Sequence, residues 1–173
     1  MVPGSLLLPA EGEGRNAVYA AGLGFEVVAF DISEIAREKA LRLAEERNVA
    51  LTYYVANLHE LDLPSDSFDA VALIYAHFPP EQRHELHREL VRILRPGGQI
   101  ILEAFSKAHL AFNTVNPKAG GPKDIELLYS EADLRDDFKA LEVGFSTTVE
   151  VELSEGLYHS GRSSVVRMIA SKR

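Results

Sequence analysis

The sequence predicts an α/β fold in which helices cover both faces of a mostly parallel sheet. Three observations support this prediction. Short apolar runs alternate with helical patterns through about residue 105. A glycine turn joins the first apolar run to the first helix, as in units that connect parallel strands. Two further apolar runs close the chain and are joined by a turn containing Gly156 and Gly161, which predicts an antiparallel pair.

Several predicted elements begin or end at a proline or a glycine. Gly22 and Gly24 end the first helix. A Pro79–Pro80 pair opens the helix after the fourth strand, and a Pro-Gly-Gly turn at 96–98 ends it. The predicted strands are 5–9, 26–30, 51–55, 68–74, 99–105, 141–153 and 163–171. The other predicted helices are 15–22, 33–47 and 130–138.

The second helix carries two further expectations. Asp31 and Glu34 have the spacing of a capping box at its start. Ile35, Leu41 and Ala44 are compatible with a buried stripe along one side of it.

The composition is that of one globular domain covering residues 1–173. No apolar run approaches the roughly 18 residues that span a bilayer, and no signal peptide precedes the first strand. We therefore expect a cytoplasmic protein without a membrane partner. The chain has no cysteine, which excludes disulfides, thiolate catalysis and cysteine metal sites. Its formal net charge of −8 argues against nucleic acid as a partner.

Residues 6–31 predict a binding site for a nucleoside. They contain an apolar strand, a glycine turn, a helix, a second strand and an acid at the end of that strand. The turn lets a ligand approach the backbone closely, and the helix N-terminus offers free N–H groups. The Asp31 carboxylate can accept hydrogen bonds from two ribose hydroxyls. Asp31 can also be the N-cap of the second helix, and the two roles are compatible.

The glycine turn and several later segments resemble the class I S-adenosylmethionine-dependent methyltransferases. Gly12 and Gly14 match the second and third glycines of the family's first motif, and Asp31 matches its ribose-binding acid. The turn at 94–98 and the terminal strand pair are similar to later parts of the family's sheet. The resemblance implies a Rossmann-like sheet of seven strands, ordered 3-2-1-4-5-7-6 with strand 7 antiparallel. It also implies S-adenosylmethionine as cofactor and a small molecule as methyl acceptor.

The resemblance also implies which residues hold the cofactor. The glycine turn would contact the methionine part and Asp31 the ribose. Asn57 and Leu58 would border the adenine, although Asn57 is equally well explained as a turn former. Tyr75 and His77 follow the fourth strand and would lie beside the transferring methyl group. The implied cofactor-binding residues are Ala10, Glu11, Gly12, Glu13, Gly14, Asn16, Asp31, Ile32, Asn57, Leu58 and Tyr75.

Within the family, the Gly-Glu-Gly-Arg-Asn turn at 12–16 is most similar to the tellurite-resistance-type methyltransferases. These enzymes act on chalcogen oxyanions or other small nucleophiles. Their C-terminal strand region contains a histidine and arginine pair near the substrate, for which His159 and Arg162 are the counterparts. The implied catalytic residues are therefore His77, His159 and Arg162, with either histidine as base where the acceptor carries a proton.

The sequence departs from the family's pattern in the first motif and before it. The acid before the first glycine falls on Leu8, and the first glycine falls on Ala10. Glu11 or Glu13 could supply a replacement carboxylate. The family's N-terminal helix, which covers the cofactor, is also missing, because the first strand begins almost at Met1. We expect an open site, or a homodimer in which the partner chain covers it; a shortened or misassigned start of the sequence is the alternative explanation.

Two other functions fit the same residues. The spacing Gly12-x-Gly14-x-x-Ala17 also matches the dinucleotide fingerprint, so an NAD-dependent oxidoreductase is one alternative. A non-catalytic module that binds a cofactor or dimerises is the other, since Leu8, Ala10 and the absent cover all depart from the enzyme pattern.

Several polar residues have competing interpretations. His77 can be a general base, or a ring merely hydrogen-bonded at the entry to the next helix. His84 and His87 lie three residues apart on that helix, where we expect solvated side chains and no metal. Residues 106–129 predict an irregular segment whose polar groups could hold an anionic substrate or belong to a mobile lid. These groups are Lys107, His109, Asn113, Lys118 and Lys123.

Overall fold

One sheet of seven strands runs through the computed structural model, which describes residues 2–156 and 158–173. In chain order the strands are β1 (Ser5–Pro9), β2 (Glu26–Asp31), β3 (Thr52–Val55), β4 (Phe68–Ile74), β5 (Leu94–Phe105), β6 (Glu142–Ser154) and β7 (Ser160–Ser171). Across the sheet they lie in the order β3-β2-β1-β4-β5-β7-β6, with β7 antiparallel to both neighbours. The predicted strand order and the antiparallel last strand are confirmed.

Helices cover both faces of this sheet. They are α1 (Arg15–Gly22), α2 (Glu34–Glu46), α3 (Pro80–Ile93), α4 (Leu110–Val115) and α5 (Glu131–Asp137). Apolar side chains of α1 and α2 share one buried cluster with Leu8 and Tyr53. Side chains from α3 and from the α5 region share a second with Leu7 and Leu73, and a third, smaller cluster contains Phe105 and Leu128. Burial on both faces explains why β1 and β4 are nearly continuous apolar runs in the sequence.

The second helix differs from its prediction at both the cap and the buried face. Its N-cap is Ser33, whose hydroxyl accepts a hydrogen bond from Ala36 N at 3.2 Å, so Asp31 is not the cap. The buried side chains are three alanines at 36, 40 and 44. Of the predicted stripe, Ala44 is buried and Leu41 packs half-buried against the core, whereas Ile35 is 66% exposed. Alanine allows a close approach to the turn, since a Cβ on Gly14 would lie only 2.4 Å from the Ala40 Cβ.

The segment between β5 and α5 is more ordered than its composition predicts. It contains α4 and three short 3₁₀ turns at 107–109, 117–119 and 125–127. The His109 ring accepts a hydrogen bond from Ser164 N at 3.2 Å and lies 3.0 Å from the Gly120 carbonyl oxygen. The Asn113 amide donates to the carbonyls of Gly120 and Pro122. Both side chains are buried: His109 joins the segment to β7, and Asn113 ties the segment to itself, which does not fit a mobile lid.

Candidate functional site

The carboxyl ends of β1 and β2 meet at the turn that precedes α1. One oxygen of Asp31 accepts a hydrogen bond from Gly12 N at 3.1 Å, and the other accepts from Ser33 N at 3.0 Å. The Tyr53 hydroxyl donates to the Gly12 carbonyl at 2.5 Å from the neighbouring strand β3. Each carboxylate oxygen has a second lone pair, so Asp31 is fixed in place and can still accept hydrogen bonds from a ligand.

The turn keeps the backbone path of a glycine motif although one glycine is absent. Ala10 has φ = +51° and Gly12 has φ = +65°, both in the left-handed region. For a residue with a Cβ this conformation costs about 1–2 kcal/mol. The departure at Ala10 therefore leaves the shape of the turn intact and introduces local strain beside the expected cofactor.

The two glutamates of the turn point in different directions. The Glu11 carboxylate accepts a hydrogen bond from Ala17 N at 2.7 Å, at the N-terminus of α1. Burial raises the pKa of Glu11 to about 7, against the hydrogen bonds from Ala17 and Asn16 that lower it. Glu13 is exposed and forms an ion pair with Lys39. Glu11 is therefore the better of the two candidates for the replacement carboxylate.

Two cavities open at this edge of the sheet, and Ala10 lines both. The smaller, of about 340 Å³, lies between the end of β2, the loop after β3 and the loop before α3. Its lining includes Asp31, Ile32, Asn57, Leu58 and His77. The larger, of about 740 Å³, lies between the turn, the start of α1 and strands β4, β5 and β7. Its lining includes Glu11, Gly12, Glu13, Asn16, Tyr75 and His159.

The implied cofactor-binding residues therefore line these two cavities, with one exception. Gly14 lines neither and instead gives α2 room to approach. Asn57 is exposed, and its backbone N–H donates to the Glu60 carboxylate at 2.6 Å in a capping box. The turn-forming interpretation of Asn57 is therefore observed, and its contact with an adenine stays a prediction.

Tyr75 forms part of a polar wall of the larger cavity that the sequence did not reveal. Its hydroxyl donates to Glu103 at 2.8 Å, and the other oxygen of Glu103 is 2.6 Å from Arg167 Nε. Tyr75 directly follows β4 and has φ = +54°, an unusual value for a side chain of this size. Burial raises the pKa of its hydroxyl, so Tyr75 stays protonated at neutral pH. Strand register brings this set together, because Glu103 pairs with Arg167 between β5 and β7.

His77 is held by the main chain through both ring nitrogens. Its Nδ1 lies 2.7 Å from the Leu127 carbonyl oxygen, and its Nε2 accepts a hydrogen bond from Phe105 N at 3.3 Å. Burial lowers the pKa of His77 to about 4. This geometry favours the hydrogen-bonded ring over the general base.

The structure separates His159 from Arg162. His159 lines the larger cavity, with its ring centroid 4.8 Å from that of Tyr75. Arg162 lines neither cavity and is exposed, with its guanidinium 2.6 Å from a Glu150 oxygen. Of the implied pair, His159 alone has the placement of a substrate-side residue.

The positions of the polar groups in the segment 106–129 do not support their interpretation as an anion site. None of its five polar candidates lines either cavity. His109 and Asn113 are buried in the hydrogen bonds described above, and Lys107 is 2.7 Å from Asp133. Lys118 and Lys123 are exposed. The alternative of ordinary surface lysines fits Lys118 and Lys123. The anion-binding interpretation grouped these residues by sequence proximity, whereas packing turns His109 toward β7 and Lys107 toward α5.

The expectation for the helix histidines is half wrong. His84 is exposed, but His87 is fully buried and donates to Asp137 at 2.9 Å. Arg83 Nε lies 3.0 Å from the same Asp137 oxygen. Burial lowers the pKa of His87 even though Asp137 raises it. This ion-pair cluster joins α3 to α5, and its side chains line neither of the two cavities.

A family model described as a methyltransferase domain matches residues 9–98, which are 90 of the 173 residues. The chain therefore belongs to this methyltransferase domain family, and the predicted family is confirmed. The Rossmann-like order of the seven strands is also that of a methyltransferase. The NAD alternative is disfavoured, because it rested on the glycine turn alone.

Three similar proteins illustrate the family. A demethylmenaquinone methyltransferase from Clavibacter sepedonicus is 35% identical over 98 residues, which are 56% of this chain and 39% of that protein. A SAM-dependent methyltransferase from Methanosarcina mazei has a TM-score of 0.79 at 19% identity, covering 99% of this chain and 93% of that one. TehB from Haemophilus influenzae has a TM-score of 0.78 at 16% identity, covering 100% and 59%.

These similarities support different conclusions about the chain. The chain spans 33–39% of the length of the first curated relatives, whose substrates therefore do not transfer directly. The match to TehB is to its fold and lends only loose support to the tellurite-resistance type. Within residues 2–156 and 158–173, no helix has the length and apolarity needed to cross a bilayer.

Proposed function

We propose that this chain transfers a methyl group from S-adenosylmethionine to a small molecule. The observation that supports this most is that Ala10 lines both the cavity containing Asp31 and the larger cavity containing Tyr75 and His159. A nucleoside in the first cavity would extend past the turn into the second. The reactive end of the cofactor would then lie beside space for an acceptor.

The residues present fit this cofactor. Asp31 has free lone pairs for the ribose hydroxyls, and Ile32 and Leu58 offer apolar contacts to an adenine. Gly12 has no Cβ and leaves the backbone of the turn open to the methionine part. S-adenosylmethionine supplies a methyl group already activated by its sulfonium. The chain then has to position the acceptor and exclude water rather than supply strong acid or base.

A base is needed when the acceptor carries a proton at the reaction. His159 is our candidate, because it lines the larger cavity and its buried Nδ1 has no hydrogen-bond partner among the described residues, with Glu155 Oε2 3.6 Å away. His77 is the weaker candidate, since both of its ring nitrogens are engaged. Unchanged activity in both His77→Ala and His159→Ala would remove both histidines from the reaction.

The acceptor class remains open between a chalcogen oxyanion and another small nucleophile. The G-x-G-R-N turn and the TehB likeness favour an oxyanion. The larger cavity has mixed charge, and Arg15 and Arg167 are the positive groups that line it. Glu11, Glu13, Glu103 and Glu155 oppose them. A neutral nucleophile would avoid the repulsion that an anion meets from these carboxylates.

The test is transfer of a radiolabelled methyl group to a panel of tellurite, selenite, a thiol, an amine and a reduced quinone. We expect turnover with one acceptor class and release of S-adenosylhomocysteine in equal amount. Cofactor binding without turnover on the whole panel would favour the non-catalytic module. We also propose that the chain is cytoplasmic and forms a single domain over residues 1–173. We further propose a homodimer in which the partner chain covers the site, and gel filtration with light scattering tests this oligomeric state.

A further inference from the structure

Glu11 is a partly buried acid that the methyl transfer itself does not use. It lines the larger cavity and is adjacent in sequence to Ala10, which lines both cavities. Its fixed contact is the hydrogen bond from Ala17 N at 2.7 Å, together with hydrogen bonds from Asn16. Among the described residues, it takes part in no ion pair within 4.0 Å. A carboxylate removed from water without a cationic partner is costly, and a bound cation would offset that cost.

The cations near Glu11 are engaged elsewhere. Arg167 is 2.6 Å from Glu103, and Arg15 donates to the Glu155 carbonyl oxygen at 2.7 Å. The charged and titratable groups on the elements around Glu11 are Glu13 and Arg15 of the turn and α1, Asp31 of β2, Tyr53 of β3, Tyr75 after β4, Glu103 of β5, Glu155 and His159 between β6 and β7, and Arg167 of β7. Carboxylates outnumber arginines in this set, so the surroundings of Glu11 favour a cationic ligand group.

We propose that Glu11 binds the ammonium group of the cofactor's methionine part, an inference that rests on the proposed function. S-adenosylmethionine carries two positive charges, the sulfonium and this ammonium. A carboxylate against the sulfonium would stabilise the reactant more than the transition state, because that charge disappears as the methyl group leaves. The ammonium keeps its charge throughout the reaction, so a fixed carboxylate there improves binding at no cost to the rate.

This assignment couples cofactor binding to a proton near neutral pH. Burial raises the pKa of free Glu11 to about 7, and an ammonium needs the ionised form. Affinity should therefore increase as the pH rises through this value, and binding below it should release a proton. Between about pH 6 and about pH 7.5, the dissociation constant should fall about eightfold.

The experiment is calorimetric titration with S-adenosylhomocysteine, which keeps the ammonium and lacks the sulfonium, and with 5′-methylthioadenosine, which lacks both. In Glu11→Gln we expect binding of S-adenosylhomocysteine to weaken about tenfold or more and its pH dependence to vanish. Binding of 5′-methylthioadenosine should change less than about twofold. Glu34→Gln, which removes an exposed carboxylate from the first turn of α2, is the matched control and should leave both affinities unchanged.

Two results would overturn the assignment. One is equal weakening of both ligands in Glu11→Gln, which would mean that Glu11 only shapes the turn. The other is loss of S-adenosylhomocysteine affinity in Glu13→Gln rather than Glu11→Gln. Thermal unfolding of each variant checks that it folds, and Glu11→Asp is the second variant if Glu11→Gln does not. If the unmodified chain binds neither ligand, the proposed function itself fails, whatever Glu11 does.

Discussion

Two sites in this domain contain partly or fully buried carboxylates, one at the sheet edge and one between α3 and α5. They differ in the groups that stabilise the carboxylate charge. At the sheet edge, Asp31 and Glu11 accept hydrogen bonds from backbone N–H groups of the turn and the adjoining helices. Between α3 and α5, Asp137 is held by the side chains of Arg83 and His87. Backbone donors hold a carboxylate in place and leave its charge free to interact with a ligand. A side-chain cation instead pairs with that charge inside the protein. The first arrangement suits ligand binding and the second suits stability.

The largest expected effect is on stability at the site between α3 and α5. Asp137→Asn should lower the free energy of unfolding by about 3 kcal/mol, because Arg83 would remain buried without its charge partner. Urea unfolding measures this. The control is Asp136→Asn at the exposed neighbour, which pairs with Lys139 and should cost less than about 1 kcal/mol. If Asp137→Asn kept full stability and lost cofactor binding, the assignment of a stabilising role to Asp137 would be wrong.

The next effect is on binding at the sheet edge. Asp31→Asn should weaken S-adenosylhomocysteine about 100-fold, because hydrogen bonds to a charged acceptor contribute about 1.5–3 kcal/mol each. Calorimetry measures this loss. Asp69→Asn is the control at the opposite end of the sheet, where the Asp69 carboxylate accepts from Ser5 N at 2.8 Å and pairs with Arg95. Equal losses in both variants would mean that Asp31 acts through the fold and not through contact with the ligand.

The smallest effect concerns strain in the turn. Ala10→Gly should change the free energy of unfolding by less than about 1 kcal/mol, since relief of the left-handed alanine is offset by the greater freedom of unfolded glycine. The same change at Ala17, inside α1, should cost about 1 kcal/mol. Thermal unfolding of the two variants compares these positions. A large loss in Ala10→Gly would show that the methyl group of Ala10 is needed for packing.

The sequence was most informative where backbone physics decides the outcome. Apolar runs predicted the strands, and the turn and α1 bounds agree with the structure. It was least informative where packing decides. The exposed Ile35 and the buried His87 both reversed the expectation from residue type, because α2 needs small alanines near the turn and α3 faces Asp137 of α5.

The same limit applies within the site. Glu11 and Glu13 are chemically identical and two residues apart, so the sequence could not tell which one faces inward. The network of Tyr75, Glu103 and Arg167 joins three strands and depends on their register, which no local pattern encodes. Asp31 was identified because its role follows from its place at the end of a strand.

We propose that the sheet edge at Asp31 and Ala10 binds an adenosyl cofactor. Calorimetric titration of the purified chain with S-adenosylhomocysteine and with NAD measures this binding. We expect micromolar binding of S-adenosylhomocysteine and no heat with NAD. Binding of NAD alone, or of neither compound, would show that the sheet edge is not a site for an adenosyl cofactor.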